Sequence, residues 1–393
     1  MLEYNMFGGG ETYYIRMADE LSTRGIDSFL LYPQKSSINK TFEHELNRLD
    51  VQIIRISENK KKHTAFQSIF KKYKRAIAVL FTKSCFIKTD ELMRAVGIPY
   101  NIFLYIIWPG DACLKRNNIF WRIALRFFMM PMVKNRNIVA FDDETMKVVT
   151  KYSIIDQKRI PIVKLGLKLK TFGQDYYESK NNYDAFNILT VCRFDFPFKG
   201  YVIGLIQDFC FLHAKYKNMK LTIVGDGDGK DYIDKVLARQ PLEACTNIIF
   251  KGFLSPEQLE HEYSSANVYV GMGTTIIDAV QHGRVAIVAT VNSYSNLSTG
   301  YFGQTNNIGI STEGRFAKYQ DPITNLYTFY ELIEKIYKSS NTEYKALVED
   351  SNNLLKEYNI KNVMDFFLDE TIGAPCNSNL ARNIIIQLLK AKI

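Results

Sequence analysis

The sequence is poor in the residues that would signal metal or disulfide chemistry. Its six cysteines, Cys85, Cys113, Cys192, Cys210, Cys245 and Cys376, are scattered through 393 residues. They make neither the close pairs of a metal site nor a dense disulfide framework, so a reducing cytoplasm is the expected setting. The chain also lacks the run of about 18 apolar residues that a spanning helix needs. The longest candidates, around Ile102–Ile107 and Ile119–Met132, are too short or broken by charge and proline, which leaves peripheral contact as the most a membrane is expected to have. No charged-then-apolar leader opens the sequence. Neither a G-x-G-x-x-G fingerprint nor a P-loop lysine motif occurs, which argues against a dinucleotide enzyme and an ATPase. No Asp-x-Asp signal stands in a convincing loop: Asp142 and Asp143 are adjacent, and Asp226 and Asp228 lie in a glycine turn. A catalytic metal is therefore not expected. A pair of carboxylates placed for glycoside hydrolysis cannot be located either.

What is present is a globular composition, 47% hydrophobic and 23% charged, on a chain long enough for two domains. The formal charge of +9 is uneven. Residues 1–180 hold 30 Lys and Arg against 18 Asp and Glu, which leaves 20 against 23 for the remainder. Basic surface attracts nucleic acid, anionic lipid or phosphorylated substrates, and charge alone does not choose among them.

Short β-branched or aromatic runs alternate with segments of helical period, as in "NILTVCRF", "YVIGLIQDFCFLHAKYK" and "LTIVGDG". This is the rhythm of α/β domains with parallel sheets. A polar stretch rich in Asn, Asp and Lys, Gly173–Phe186, separates two such series and is the expected linker. The reading is therefore a Rossmann-like domain over 1–172, a linker over 173–186 and a second Rossmann-like domain over 187–372. A terminal helix over 373–393 is expected to pack back on the first domain. "MLEYNMF" is barely long enough for a strand ahead of the glycine run at Gly8, Gly9 and Gly10. Ser255, Pro256 and Gln258 form a capping-box pattern that fixes a helix start.

Several segments carry chemistry. The glycine run feeds a helix whose apolar positions Ile15, Ala18 and Leu21 recur at helical spacing. Such a loop offers backbone N–H groups to an anion at a helix N-terminus, though many glycine turns bind nothing. After the strand "NILTV" come Arg193 and Lys199, just beyond the C-terminal end where open α/β sheets bind ligands. Two cations there suit a diphosphate, and arginine can hold it through two parallel hydrogen bonds. Gly225 and Gly227 end one strand and Gly252 another; a close approach to a ligand and a plain tight turn explain them equally well. In "ANVYVGMGTTIIDAVQHG", Gly273, Thr274 and Thr275 are placed to aim N–H groups and hydroxyls at a phosphate oxygen, with Asp278 one turn into the helix.

Taken in order, "GGGETYYIRMADELSTRGI", "VGIPYNIFLYIIWPGD", "RIPIVKLGL", "RFDFPFKGY", "LTIVGDG" and "IIFKGFLSPEQLEHEYSSANVYVGMGTTIIDAVQHG" resemble the GT-B glycosyltransferases, specifically the retaining, nucleotide-sugar-dependent family 4. The resemblance implies an α/β fold of two Rossmann-like domains with a donor cleft between them. It implies a hexosyltransferase-type enzyme that moves a sugar, with retention and without metal, from a nucleoside-diphosphate sugar, a UDP-sugar first among them, to a saccharide or lipid-diphosphate-linked acceptor in capsule, exopolysaccharide or lipopolysaccharide synthesis. No other cofactor is expected. Carried over by position, Arg193 and Lys199 bind the diphosphate, Gly9 and Gly10 face the donor phosphate, and backbone near Gly252 and Phe253 sits by the base. Asp278 takes the place of the ribose-binding carboxylate.

Two departures stand out. The family often has two Glu separated by seven residues, where this chain has Val270 and Asp278, so the first carboxylate is absent. The histidine of the acceptor loop is also missing, and Asp111 is the nearest polar candidate, with an acceptor-side role and a turn-capping role both open. The missing Glu favours an alternative reading, a degenerate GT-B subunit that binds nucleotide sugar or supports a partner transferase.

The segment from Val51 to Asn137 holds 17 Lys and Arg against 4 Asp and Glu, interleaved with Phe, Trp and Met. It reads either as a surface resting on the inner face of the membrane, where a lipid-diphosphate acceptor is found, or as helices with core aromatics and a solvated basic side. No nucleic-acid motif accompanies it.

Overall fold

The structure is a computed structural model that describes residues 9–33, 37–56, 68–113, 118–169, 185–291, 293–310, 319 and 326–373. The described residues fall into two compact units, one running to Lys168 and resuming at Tyr358, the other spanning Leu169–Glu357.

The second unit is built on a seven-stranded sheet. Its strands are β6 (Phe186–Val191), β7 (Met219–Val224), β8 (Ile248–Gly252), β9 (Val268–Gly271), β10 (Val285–Ala289), β11 (Leu297–Tyr301) and β12 (Tyr327–Thr328), in the spatial order β12-β11-β10-β9-β6-β7-β8. β6 to β10 are parallel, and β11 and β12 add antiparallel strands at one edge. The inner parallel strands β9 and β10 are covered on both faces, so β10 reads as unbroken "VAIVA" with every side chain buried. Ile188, Leu221, Ile223, Val268, Val270 and Ile287 join the helix Tyr201–Lys215 in one apolar core. The chain builds β6, β7 and β8 outward in one direction, then crosses back to lay β9 against the other side of β6, pairing Ile188 with Val268 and Leu189 with Tyr269. The boundary between β6 and β9 is thus the point where strand order reverses. The capping box forms as expected: Ser255 N–H donates to Gln258 Oε1 at 2.9 Å and Gln258 N–H to Ser255 Oγ at 3.3 Å.

The first unit holds two shorter parallel pieces. β1 (Phe29–Pro33) pairs with β2 (Gln52–Ile56), and β3 (Ala76–Leu80), β4 (Tyr100–Ile106) and β5 (Ile138–Ala140) form a sheet in that order. Every residue of β4 is buried. The strand expected at the extreme N-terminus and the helix expected from "NLARNIIIQLLKAKI" lie outside the described residues.

The expected 187–372 span for the second domain runs too far. The chain is back in the first unit at Tyr358, because helix Ile360–Leu368 has an apolar face, Ile360, Val363, Met364 and Phe367, that buries there. Phe367 meets the rings of Phe103 and Tyr105 on β4, with centroids 5.1 and 5.4 Å apart. The return is stapled to the outgoing chain: Leu167 N–H donates to Tyr358 O at 2.6 Å and Ile360 N–H to Leu167 O at 2.8 Å. Most of the expected linker, 173–184, lies outside the described residues, and Phe186 already belongs to β6.

Candidate active site

The C-terminal ends of β6, β7, β8 and β9 bring Arg193, Lys199, Gly225, Gly252, Phe253, Gly273, Thr274, Thr275 and Asp278 to one edge of one sheet in the second unit. Gly9, Gly10 and Asp111 belong to the first unit.

At the reversal point, the loop after β6 carries Lys199 toward the loop after β9. Its Nζ lies 3.5 Å from the Met272 carbonyl oxygen and 4.0 Å from where a Cβ on Gly273 would stand. The ammonium also lies over the Phe198 ring, 5.4 Å from its centroid. Burial pushes the Lys199 pKa down to about 8; Arg193 pushes the same way, while Cys192 and Asp195 oppose. The cation is held at the reversal point with incomplete solvation, a state that favours an incoming anion. Arg193 is more exposed and its guanidinium donates to Asp195 Oδ2 at 2.8 Å.

Gly273 opens helix Thr274–Gln281 at φ +78° and ψ −156°, a conformation that essentially only glycine adopts. Its N–H donates to the Ile308 carbonyl at 2.7 Å, so it is satisfied within the protein rather than aimed outward. The Thr275 hydroxyl donates to Met272 O at 3.1 Å and accepts from Tyr269 at 2.6 Å. Tyr269 is fully buried on β9, and its hydroxyl also lies 3.3 Å from Val191 O at the end of β6. It ties the two strand ends together. Sequence reading missed Tyr269 and the Ile308 carbonyl. A tyrosine inside a buried strand must find a partner for its hydroxyl, and that was the available signal.

The glycine turn after β7 has an internal cause. Gly225 has φ +132°, and a Cβ there would stand 1.8 Å from the Cys192 carbonyl oxygen. The loops after β6 and β7 are laced together: Cys192 N–H donates to Val224 O and Phe194 N–H to Asp226 O, both at 2.9 Å, and Gly225 N–H donates to Gly252 O at 2.8 Å. Gly252 has φ +60° with open space around it, and the next residue, Phe253, is 82% exposed. Asp278 is half-buried, with its own carbonyl 2.7 Å from His282 Nδ1. Val270 packs in the core of β9, so a carboxylate at that position would be buried among apolar side chains.

In the first unit, Gly9 and Gly10 begin helix Gly9–Thr23, where Glu11 supplies a carboxylate to the first turn. Asp111 follows β4 in a short turn and accepts from Trp108 N–H at 3.3 Å. Burial raises its carboxyl to about 7 despite that bond and the nearby Lys83 ammonium. Lys83 itself donates to Cys113 O at 2.8 Å. Among the described residues, no group of three His, Cys, Asp or Glu is arranged to hold a metal ion, and no helix is long and apolar enough to cross a membrane.

No protein-family model matches the chain, and no curated protein matches it. Solved structures do. A glycosyltransferase from Rickettsia africae aligns at 15% identity and a TM-score of 0.63, over 98% of this chain and 96% of its own. The lipopolysaccharide outer core galactosyltransferase WaaB aligns at 13% identity and 0.56, over 93% and 98%. WaaG, a glycosyltransferase involved in lipopolysaccharide biosynthesis, aligns at 14% and 0.52, over 94% and 98%. The chain has the two-domain α/β fold of the GT-B glycosyltransferases, with Rossmann-like parallel sheets.

Proposed function

We propose that the chain is a glycosyltransferase that moves a sugar from a nucleoside-diphosphate sugar to a saccharide or lipid-linked saccharide acceptor. The observation that carries this reading is Lys199, a partly desolvated ammonium at the strand-order reversal beside the start of helix Thr274–Gln281. Open α/β sheets bind their ligands at that place. A diphosphate would meet Lys199 from one side, and Arg193 would exchange the Asp195 carboxylate for a phosphate oxygen. The N–H groups and helix dipole at Thr274 and Thr275 would add a further positive end. Thr275's hydroxyl, bonded to Tyr269, would hold its backbone in place rather than contact the ligand. The base would rest near Gly252 and the exposed ring of Phe253, and Asp278 is the carboxylate assigned to the ribose.

In the reaction, the bond from the anomeric carbon to the diphosphate oxygen breaks, with its electron pair going to the phosphate. An acceptor hydroxyl oxygen bonds to the carbon, and its proton passes to the departing diphosphate. Negative charge grows on the phosphate side, where Lys199 and Arg193 stabilise it in place of a metal. Attack on the face from which the diphosphate leaves gives retention. On the acceptor side, Asp111 is the candidate hydrogen-bonding group, supported by its raised pKa. Cell-surface polysaccharide synthesis is the proposed setting.

Calorimetry with UDP, GDP, ADP and their sugar conjugates, in EDTA, tests the reading. One nucleotide class should bind, and Arg193→Ala should weaken it. No binding to any of them would sink the donor site. The buried Val270 favours a second reading, a subunit that holds the donor without turning it over. Donor binding with no sugar transfer or hydrolysis in any acceptor mixture would select it.

A further inference from the structure

The helix Ile119–Lys134 presents one face left exposed among the described residues. Its start is fixed by Asn118, whose side chain accepts from Trp121 N–H at 3.0 Å. Its inner face, Leu125, Phe128, Met129, Met132 and Val133, is buried. Arg122 pins it to the neighbouring helix Asp143–Ser153, donating to Tyr152 O at 2.8 Å and Lys151 O at 2.9 Å. The helix is therefore docked and oriented. Yet Ile119, Phe120, Ile123 and Phe127 are 58, 63, 42 and 62% exposed. At the helical repeat they share an arc of about 100°, a continuous apolar stripe rather than scattered residues.

The segment that carries the stripe bears charge of one sign. Between Asp111 and Asp142 the sequence contains no acid and six cations: Lys115, Arg116, Arg122, Arg126, Lys134 and Arg136. Arg126 and Lys134 are exposed on the same side of the helix as the stripe. A protein partner would have to offer apolar and acidic groups in register. An anionic bilayer offers both everywhere: an acyl layer for Phe and Ile, a headgroup plane for arginine and lysine, and a boundary that suits aromatic rings.

We infer that the outer face of helix Ile119–Lys134 is a docking surface for an anionic lipid bilayer. Phe120, Ile123 and Phe127 enter the acyl boundary, and Arg126 and Lys134 engage the headgroups. This inference stands apart from the transferase reading, since vesicle partitioning and donor calorimetry fail independently.

The full chain is mixed with vesicles of phosphatidylcholine alone and with vesicles containing about one third phosphatidylglycerol, and bound protein is measured by sedimentation over a salt series. Trp121, whose ring lies 5.3 Å from that of Phe120, reports insertion by its fluorescence. The wild type should partition onto the anionic vesicles and lose affinity as salt rises. Phe120→Ser with Phe127→Ser should lower partitioning at least about tenfold, because two large apolar side chains no longer leave water. Arg126→Glu should lower it about tenfold or more, with the loss greatest at low salt. All three positions are exposed, so circular dichroism and the melting temperature should stay at wild-type values. Three outcomes would overturn the inference. One is no partitioning onto anionic vesicles at low salt. Another is partitioning that ignores both variants. The third is sedimentation showing that the chain self-associates through this face and leaves vesicles alone.

Discussion

In the second unit, the loops leaving β6, β7 and β8 are laced by backbone hydrogen bonds of 2.8 to 2.9 Å, and the inner strands β9 and β10 are buried along their whole length. In the first unit, the sheets are two short parallel pieces, a carboxyl sits half-buried beside a turn, and one helix turns an apolar stripe outward. The contrast separates two ways of making a binding surface. One fixes backbone in advance, so that a small charged ligand meets groups already in place and loses little on ordering them. The other leaves side chains outward, where recognition rests on area and charge rather than on exact position.

Gly225 is where this contrast is easiest to break. Gly225→Ala forces a Cβ against the Cys192 carbonyl at a φ of +132°, and should destabilise the second unit by about 3 kcal/mol or more. Denaturant unfolding should show the loss in the second unit's transition, with the first unit's unchanged. The next effect concerns charge. Lys199→Met should weaken nucleoside-diphosphate binding by about 2 kcal/mol, roughly thirtyfold, whereas Lys83→Met in the first unit should leave that affinity alone; calorimetry distinguishes them.

The same lysine sets a pH dependence. Its pKa falls from 10.5 unfolded to about 8 folded, so it is charged below about 8 and loses its proton above. Diphosphate affinity should be flat at neutral pH and fall about tenfold per pH unit beyond about 8, provided the protonated form is the one that binds. The stability sign runs the other way: the unfolded chain holds more protons between about 8 and 10.5, so stability gains from this group as pH rises through that window. Tyr269→Phe removes the 2.6 Å bond to Thr275 and should cost about 1 kcal/mol by thermal unfolding. The smallest effect belongs to the first unit. Burial raises Asp111 from 3.8 to about 7, so the folded state holds the extra proton and the wild type loses stability as pH climbs across that interval. Asp111→Asn should remove this slope, a difference on the order of 1 kcal/mol at pH 8 once its partial exposure is allowed for.

Much of the second unit was legible because its physics is local. A parallel strand covered on both faces reads as an apolar run, as "NILTV" and "VAIVA" do, and Ser255 and Gln258 close a box three residues apart. That Arg193 and Lys199 stand just past the end of a strand is legible in the same way, from "NILTV" directly before them. What stayed hidden depends on pairs distant in sequence. Nothing near Gly273 says that its N–H goes to Ile308, and nothing near Gly225 says that the Cys192 carbonyl passes beneath it. The early return to the first unit was missed for the same reason: the apolar face of Ile360–Leu368 fits any sheet of the right shape, and only the assembled fold shows β4 receiving it.

The staple between Leu167 and the stretch from Tyr358 to Ile360 gives the chain a modular character. Residues 169–357 form one uninterrupted stretch set into a first unit whose two segments meet side by side at that junction. Two cuts at neighbouring points would release the whole sheet with its reversal point intact. A recombination event there would exchange the whole second unit, and the donor site proposed for it, while leaving helix Ile119–Lys134 and the Asp111 turn unchanged.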